Sequence, residues 1–390
     1  MQPTLFTLPF LPDWLADIKS YGVMMCIAFL TGIWLACRRA FRSRANPDII
    51  LNAGFIALIC GVAGARAMFV MHYWDTRFAN QPNPFFAVFD IRAGGLEFWG
   101  GPLLGIPMIL VYLKFFAKVS IRWYFDILIP SLAWGLAITR VGCFLNGCCW
   151  GSVCVTDAEP HLQEAAVPWA VSFPYGSPAM NQQYKFGQLT LPKELIYTLE
   201  TGESMPFPRD FIQFALKDNG ETRRKIEALK KAKGEKAVDQ VLRFRRGKIA
   251  QVERQCALFG LTAQQLADLS ALYTSKPVHP SQLYAVVNAF LISWLLSVMF
   301  YYRKRHGVVF GWFLILYSIS RVFLESIRQD NPLDIGGITI SQAISTLTFL
   351  IGVVWLAAMY RLPMTSPRAV AYEEPEEEDA RSKPAKGKKK

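Results

Sequence analysis

The sequence predicts an all-α polytopic membrane protein: seven transmembrane helices, with an outward-facing head inserted between the fourth and fifth. Three observations carry this reading. Of 390 residues, 52% are hydrophobic and only 18% charged, against about 25% charged in soluble domains. Mean hydropathy is +0.23 even though residues 217–254 and the C-terminal tail are highly charged, so the apolar residues are concentrated in long segments. Basic residues also alternate between the connections that join those segments. This composition excludes a disordered chain, a collagen-like fibre and a coiled coil, and argues against an ordinary soluble enzyme.

A membrane span needs about 20 mostly apolar residues. Seven segments meet or approach this, near residues 18–38, 48–71, 96–117, 123–145, 281–302, 308–327 and 338–360. The first has no small-residue cleavage site and reads as a retained helix. The first connection carries Arg38, Arg39, Arg42 and Arg44, the third Lys114, Lys118 and Arg122, and the fifth Arg303, Lys304 and Arg305. The other short connections balance Arg77, Arg92 and Arg328 against Asp75, Asp90, Asp330 and Asp334. The positive-inside rule then puts the odd connections and the C-terminus in the cytoplasm and the N-terminus outside. The net charge of +12 is therefore an orientation signal, and no nucleic-acid partner is expected.

Four regions follow: helices 1–4 over residues 1–145, an external loop and helical insert over 146–278, helices 5–7 over 279–361, and a charged, disordered cytoplasmic tail over 362–390. The basic stretch RRKIEALKKAKGEK at 223–236 either guides a secreted substrate or contacts anionic lipid, or is a solvated insert with no role.

Ionisable residues inside spans mark function, because a central arginine costs at least about 2.5–3.5 kcal/mol to insert. Arg140 lies in the fourth segment and Arg321 in the sixth. At 1.5 Å per residue they sit roughly 25 Å and 20 Å above the cytoplasmic ends of their helices, near the outer headgroups. Paired guanidinium forks at that depth suit a phosphate better than a proton relay. Tyr317, Arg321, Glu325 and Arg328 share one helical face, so Glu325 can orient Arg321; an Arg–Glu pair that merely snorkels is the plainer alternative. Arg66 is close enough to a span end to snorkel. Asp126 begins the fourth span, roughly 21 Å from Arg140, and reads as a helix cap or dipole partner. His279 either belongs to the helix start HPSQLY or meets substrate there.

Cys143, Cys148, Cys149 and Cys154 cluster at the outer end of the fourth span. No C-x2-C pair occurs, so no metal is expected; small-residue packing and an external disulfide both remain open. The glycine runs 93–101 and 142–151 lack the strand–turn–helix setting of a phosphate cradle and suit close helix approach or cavity-lining backbone.

Six ordered motifs now resemble the prolipoprotein diacylglyceryl transferase family: Tyr21-Gly22, Gly64-Ala65-Arg66, GGLEFWGG, TRVGCFLNGCCWG, HPSQLY and YSISRVFLESIRQ. They cover roughly residues 18–155 and 277–360. The resemblance implies transfer of the diacylglyceryl group of phosphatidylglycerol to the lipobox cysteine of a preprolipoprotein signal peptide, in a bacterial inner membrane, with glycerol phosphate released and no cofactor. It implies Arg140 on the lipid phosphate, with Arg321, Tyr317 and Glu325 in the catalytic set. Tyr21, Asn146, Gly151, His279 and Arg328 would contact substrate, and Asp126 matches a family position. A lipid-binding or lipid-translocating relative without chemistry is the alternative.

Two departures stand out. Trp99 occupies the position where many family members carry a histidine proposed as base. Either no base is needed, because cations lower a thiol pKa, or Glu97, Tyr21 or His279 substitutes, or the protein is non-catalytic. Cys143 and Cys148 replace polar family positions, which puts headgroup contacts there in question.

Overall fold

The computed structural model describes residues 4–7, 17–79, 84–89, 95–155, 165–198, 202–216, 235–328 and 339–372. The tail from 373 and the insert segment 217–234 lie outside the described residues. A short hairpin of β1 (Thr4–Thr7) and β2 (Asp17–Lys19) precedes α1 (Ser20–Arg42). Then come α2 (Pro47–His72), α3 (Pro84–Phe89), α4 (Gly100–Val111) and α5 (Ile121–Asn146). After the head follow α10 (Ser281–Tyr302), α11 (Val308–Ile327) and α12 (Ile340–Arg361).

Six of these helices are long and apolar enough to cross a membrane: α1, α2, α5, α10, α11 and α12. The third expected span is shorter. Its apolar helix runs from Gly100 to Phe116, about 25 Å at 1.5 Å per residue, because Gly100, Gly101 and Pro102 start it and residues 95–97 are not helical.

The sequence sets the helix ends. Asn46 caps α2 with Pro47 at its first turn, Ser120 caps α5, and Thr339 with Gln342 forms a capping box on α12, each filling otherwise orphaned amide N–H groups. Helix α5 stops at Gly147, in the left-handed region at φ 73°, where glycine has no Cβ penalty.

Helix α5 is the axis of the bundle. It packs on α1 and α10, and more lightly on α11; α12 lies against α11, and α4 against α2. A Cβ at Gly64 or Gly100 would collide with the other's backbone, so that α2–α4 crossing depends on both glycines.

Three basic residues expected at the surface are internal. Arg39 and Arg303, counted above as loop charges, turn inward. Arg39 is 7% exposed and donates to Ile127 O, Ser131 Oγ and Ser297 Oγ at 3.0, 2.7 and 3.1 Å, tying α1, α5 and α10 together. Arg303 pairs with Asp126 at 3.0 Å. Asp126 does cap a helix, but not its own: its carboxylate accepts from Gly307 N at 2.7 Å and Phe310 N at 3.0 Å, at the start of α11. Nor does Arg66 snorkel. It is buried and donates to Val88 O, Ala87 O and Gly95 O at 2.7–3.0 Å, holding the α2–α4 connection as an internal strut.

The insert has a core of its own. It comprises α6 (Pro178–Lys185), hairpin β3–β4 (Ile196–Thr198 and Ser204–Pro206), α7 (Arg209–Leu216), α8 (Glu235–Phe259) and α9 (Ala263–Leu272). Tyr175, Met180, Leu195, Phe207, Ile212, Val252 and Leu266 pack together. Tyr175 Oη donates to Phe207 O at 2.8 Å, and burial raises its pKa above the ordinary tyrosine value. Bridges from Val278 to Val153 and Val171 join this head to the chain entering α10.

Candidate functional site

The site is built where the C-terminal end of α5 meets the start of α10 and the end of α11. Past Gly147 the chain turns through Cys148 and Cys149, the latter at φ 61°. That conformation is strained for a residue with a Cβ, and α10 holds it in place. Ser281 Oγ donates to Cys149 O at 2.6 Å, and Gln282 Nε2 to Cys148 O at 2.8 Å. Next, Gly151 N donates to His279 O at 2.9 Å and Ser152 N to Ile327 O at 2.7 Å. The motifs TRVGCFLNGCCWG and HPSQLY are thus two halves of one structure.

A pocket opens beside this turn, lined by Arg140, Cys149, Gln282, Tyr317, Arg321 and Arg328 among others. The i, i+4 spacing on α11 does pair Arg321 with Glu325, at 3.0 Å; Arg328 reaches the same carboxylate oxygen at 3.6 Å. Glu325 is 3% exposed and also accepts from Thr339 Oγ1 at 3.3 Å, while Arg321 Nε donates to Ser341 Oγ at 3.0 Å. Two arginines are thereby fixed by one buried carboxylate and by α12. Arg140 is different. Among the described residues no carboxylate lies within ion-pair distance of it, and its nearest polar partner is Cys143 Sγ at 4.0 Å. The pocket therefore presents a guanidinium with no carboxylate partner among the described residues to whatever enters.

Behind the pocket, an apolar groove runs between α10 and α11, lined by Ile292, Leu316, Ile319 and Phe323. It shares Asn288, Ser320 and Leu324 with the cationic pocket.

Of the residues singled out from sequence, Arg140, Tyr317, Arg321 and Arg328 line the pocket, and Glu325 stands directly behind it. Tyr21 and Asn146 do not line it. Both border the cysteines instead: Tyr21 rests against Gly142 and within electrostatic reach of Cys143, and Asn146 lies two residues before Cys148 at the end of α5. Gly151 contacts backbone. A Cβ there would stand 2.7 Å from His279 O, so its role is close approach. His279 Nδ1 is engaged by Tyr284 Oη at 3.2 Å, which in turn accepts from Trp169 Nε1 at 2.8 Å. Trp99 sits at the start of α4, and Glu97 faces His72 at 3.4 Å; none of Trp99, Glu97 and His279 lines the pocket. Sequence reasoning missed Gln282 and Ser281, whose signal was their place directly after His279-Pro280. All eight cysteines are unpaired in the structure.

An apolar bundle with six membrane-length helices, an arginine-lined pocket at one end of the helices and an adjoining apolar groove define a multi-pass membrane protein with a cationic site beside an apolar one. The comparisons with known proteins name the family. The prolipoprotein diacylglyceryl transferase model matches residues 9–358, and the chain belongs to that family. Among curated relatives it is similar to the phosphatidylglycerol–prolipoprotein diacylglyceryl transferases of Erwinia tasmaniensis (27% identity over 88% of this chain and 89% of the relative), Proteus mirabilis (24%, over 90% and 91%) and Yersinia enterocolitica (26%, over 89% and 91%).

Proposed function

We propose that this protein transfers the diacylglyceryl group of phosphatidylglycerol to the lipobox cysteine thiol of a prolipoprotein. The observation that carries the reading is Arg140: a guanidinium without a carboxylate, in a pocket with two further arginines and continuous with an apolar groove. In this reading the phosphate sits on the arginines and an acyl chain lies between α10 and α11.

The chemistry follows from the arrangement. A cysteine thiolate attacks the glyceryl carbon that carries the phosphate ester. The C–S bond forms as the C–O bond breaks, and glycerol phosphate departs with the electron pair. Negative charge grows on the leaving phosphate, and fixed cations in a water-poor site stabilise it. Arg140 meets that phosphate, while Arg321, aimed by Glu325 and Ser341, completes the cationic wall beside Tyr317. The same cations lower the pKa of an incoming thiol. Arg38, Arg42, Arg44, Lys304 and Arg305, at the bundle end opposite this pocket, support a bacterial inner-membrane orientation with that end cytoplasmic, the N-terminus outside and the pocket toward the outer leaflet. A lipid-binding relative without chemistry is the second reading, favoured by Trp99.

The test uses purified protein in detergent, phosphatidylglycerol and a lipobox peptide with one cysteine. Mass spectrometry should find the peptide heavier by one diacylglyceryl group, and Arg140→Ala should cut the rate about 10²–10³-fold, as for loss of one oxyanion donor. No gain, with Arg140-dependent lipid binding, selects the second reading.

A further inference from the structure

Three thiols stand beside the pocket, and the reaction as described leaves them without a task. The Sγ atoms of Cys143, Cys148 and Cys149 all lie within 4.8 Å of one another, although C-x4-C-C is no familiar ligand spacing. The left-handed turns at Gly147 and Cys149 fold the last two sulfurs back over the first. Sulfurs bound to one zinc at about 2.3 Å stand about 3.8 Å apart in tetrahedral geometry, so side-chain adjustments of an ångström or less close the cluster on an ion.

Its surroundings are ordered independently of those sulfurs. Ser281 and Gln282 pin the two backbone carbonyls of the turn. Gln282 is 1% exposed, and its Oε1 has no hydrogen-bond partner among the described residues; Gln282 and Cys149 line the same pocket. Arg140 reaches Cys143 Sγ, and Arg140 and Arg328 both act electrostatically on Cys149. Three thiolates around a dication carry one net negative charge, and cations flank them here.

We propose that Cys143, Cys148 and Cys149 bind a thiophilic d10 cation, zinc being the probe, as a three-thiolate site whose fourth position opens into the pocket through Cys149. Binding displaces three thiol protons to solvent. Three protein ligands plus an open position is the pattern of a catalytic zinc, whereas structural sites are closed. Resting on the transferase reading, the fourth position takes the acceptor cysteine. Its thiol proton goes to solvent, because a thiol coordinated to zinc is deprotonated outright. The bound sulfur then attacks the glyceryl carbon, the C–O bond breaks toward glycerol phosphate, and the neutral thioether leaves the ion. That would supply the activation for which no histidine stands in the Trp99 position.

The experiment uses the full chain, purified anaerobically in detergent, loaded with Zn2+ and dialysed. Elemental analysis should find about one zinc per chain, and X-ray absorption a sulfur shell at about 2.3 Å. Cys149→Ser and Cys148→Ser should lower zinc retention at least tenfold, while Cys26→Ser and Cys256→Ser leave it unchanged. Buried Cys143 can report folding rather than binding, so mercurial titration of the wild type supplies a second readout: zinc should be released as these three thiols react. Zinc below about a tenth per chain, zinc retained in both serine variants, or a disulfide among the three cysteines in the anaerobic protein overturns the site. Lipid transfer that persists in zinc-free Cys149→Ser overturns the thiol-activating role and leaves the transferase standing. Tight zinc binding without any transfer by the wild type refutes the transferase reading and upholds the site.

Discussion

Glu325→Gln separates a structural ion pair from a pocket built for an anion. Glu325 is fully covered in its side chain, and its Oε2 lies 3.0 Å from Arg321 and 3.6 Å from Arg328. Removing one partner of a buried pair costs about 3–5 kcal/mol, since the remaining charge stays desolvated. The two guanidinium side chains keep 18% and 9% of their exposure, which places the loss at the lower end, about 3 kcal/mol. Glutamine still accepts from Thr339, so helix packing persists. At about 2 °C per kcal/mol for a chain of this size, the unfolding midpoint in detergent should fall by about 6 °C. The discriminating quantity is the response to lipid. A phosphate seated among the arginines replaces part of the missing negative charge, so phosphatidylglycerol should raise the midpoint of Glu325→Gln by several degrees more than it raises the wild type's. Differential scanning fluorimetry in neutral-detergent micelles, with and without the lipid, measures both. A lipid response in the variant equal to or below that of the wild type would refute the reasoning.

Three further outcomes are expected. Asp126→Ala should cost about 3–5 kcal/mol, because it orphans the Gly307 and Phe310 amides and strands buried Arg303; Asp126→Asn, which keeps one acceptor, should cost less in the same melt. Gly151→Ala drives a Cβ into the His279 backbone and should lower stability by about 1–3 kcal/mol, with Arg328 displaced and turnover reduced in the peptide-mass assay. His306, in the α10–α11 connection, stacks on Trp123 with ring centroids 5.6 Å apart; burial first, then the charges of Arg303 and Arg122, depress its pKa to about 4. The unfolded chain binds that proton more readily, so the contribution is intact above about pH 6.5 and is lost as pH falls through 4; His306→Phe should flatten the melting temperature across that interval.

The spans were readable because hydropathy, caps and length act locally: Asn46-Pro47 and Thr339 with Gln342 announce helix starts whatever surrounds them. The face shared by Tyr317, Arg321 and Glu325 was legible from helical period; Arg328, counted on that face from its spacing, lies just past the helix end in extended conformation and bridges Gly151 instead. What stayed hidden depended on how helices are rotated against each other. Arg39 and Arg303 sit at span ends, where a long side chain can point to water or inward, and only the neighbouring Ser131, Ser297 and Asp126 decide. Arg66 similarly needed the Ala87 and Val88 carbonyls, which a hydropathy profile does not display. The cysteines were judged by spacing along the chain, but two left-handed turns set their separation in space. Gly147 could have signalled the first of these; nothing in a cysteine codon signals φ 61° at Cys149.

The groove between α10 and α11 changes what counts as substrate concentration. Its walls include Ile319 and Phe323, both open at the surface of the bundle, so a lipid can slide in from the bilayer without passing through water. The site then samples a two-dimensional solution. On the proposed function, what saturates it is the fraction of neighbouring lipids that carry the right headgroup, and a bilayer enriched in other lipids should slow the protein by dilution even when the total amount of its lipid is unchanged. A product that has gained two acyl chains can leave by the same side door, already dissolved in the phase where it will reside.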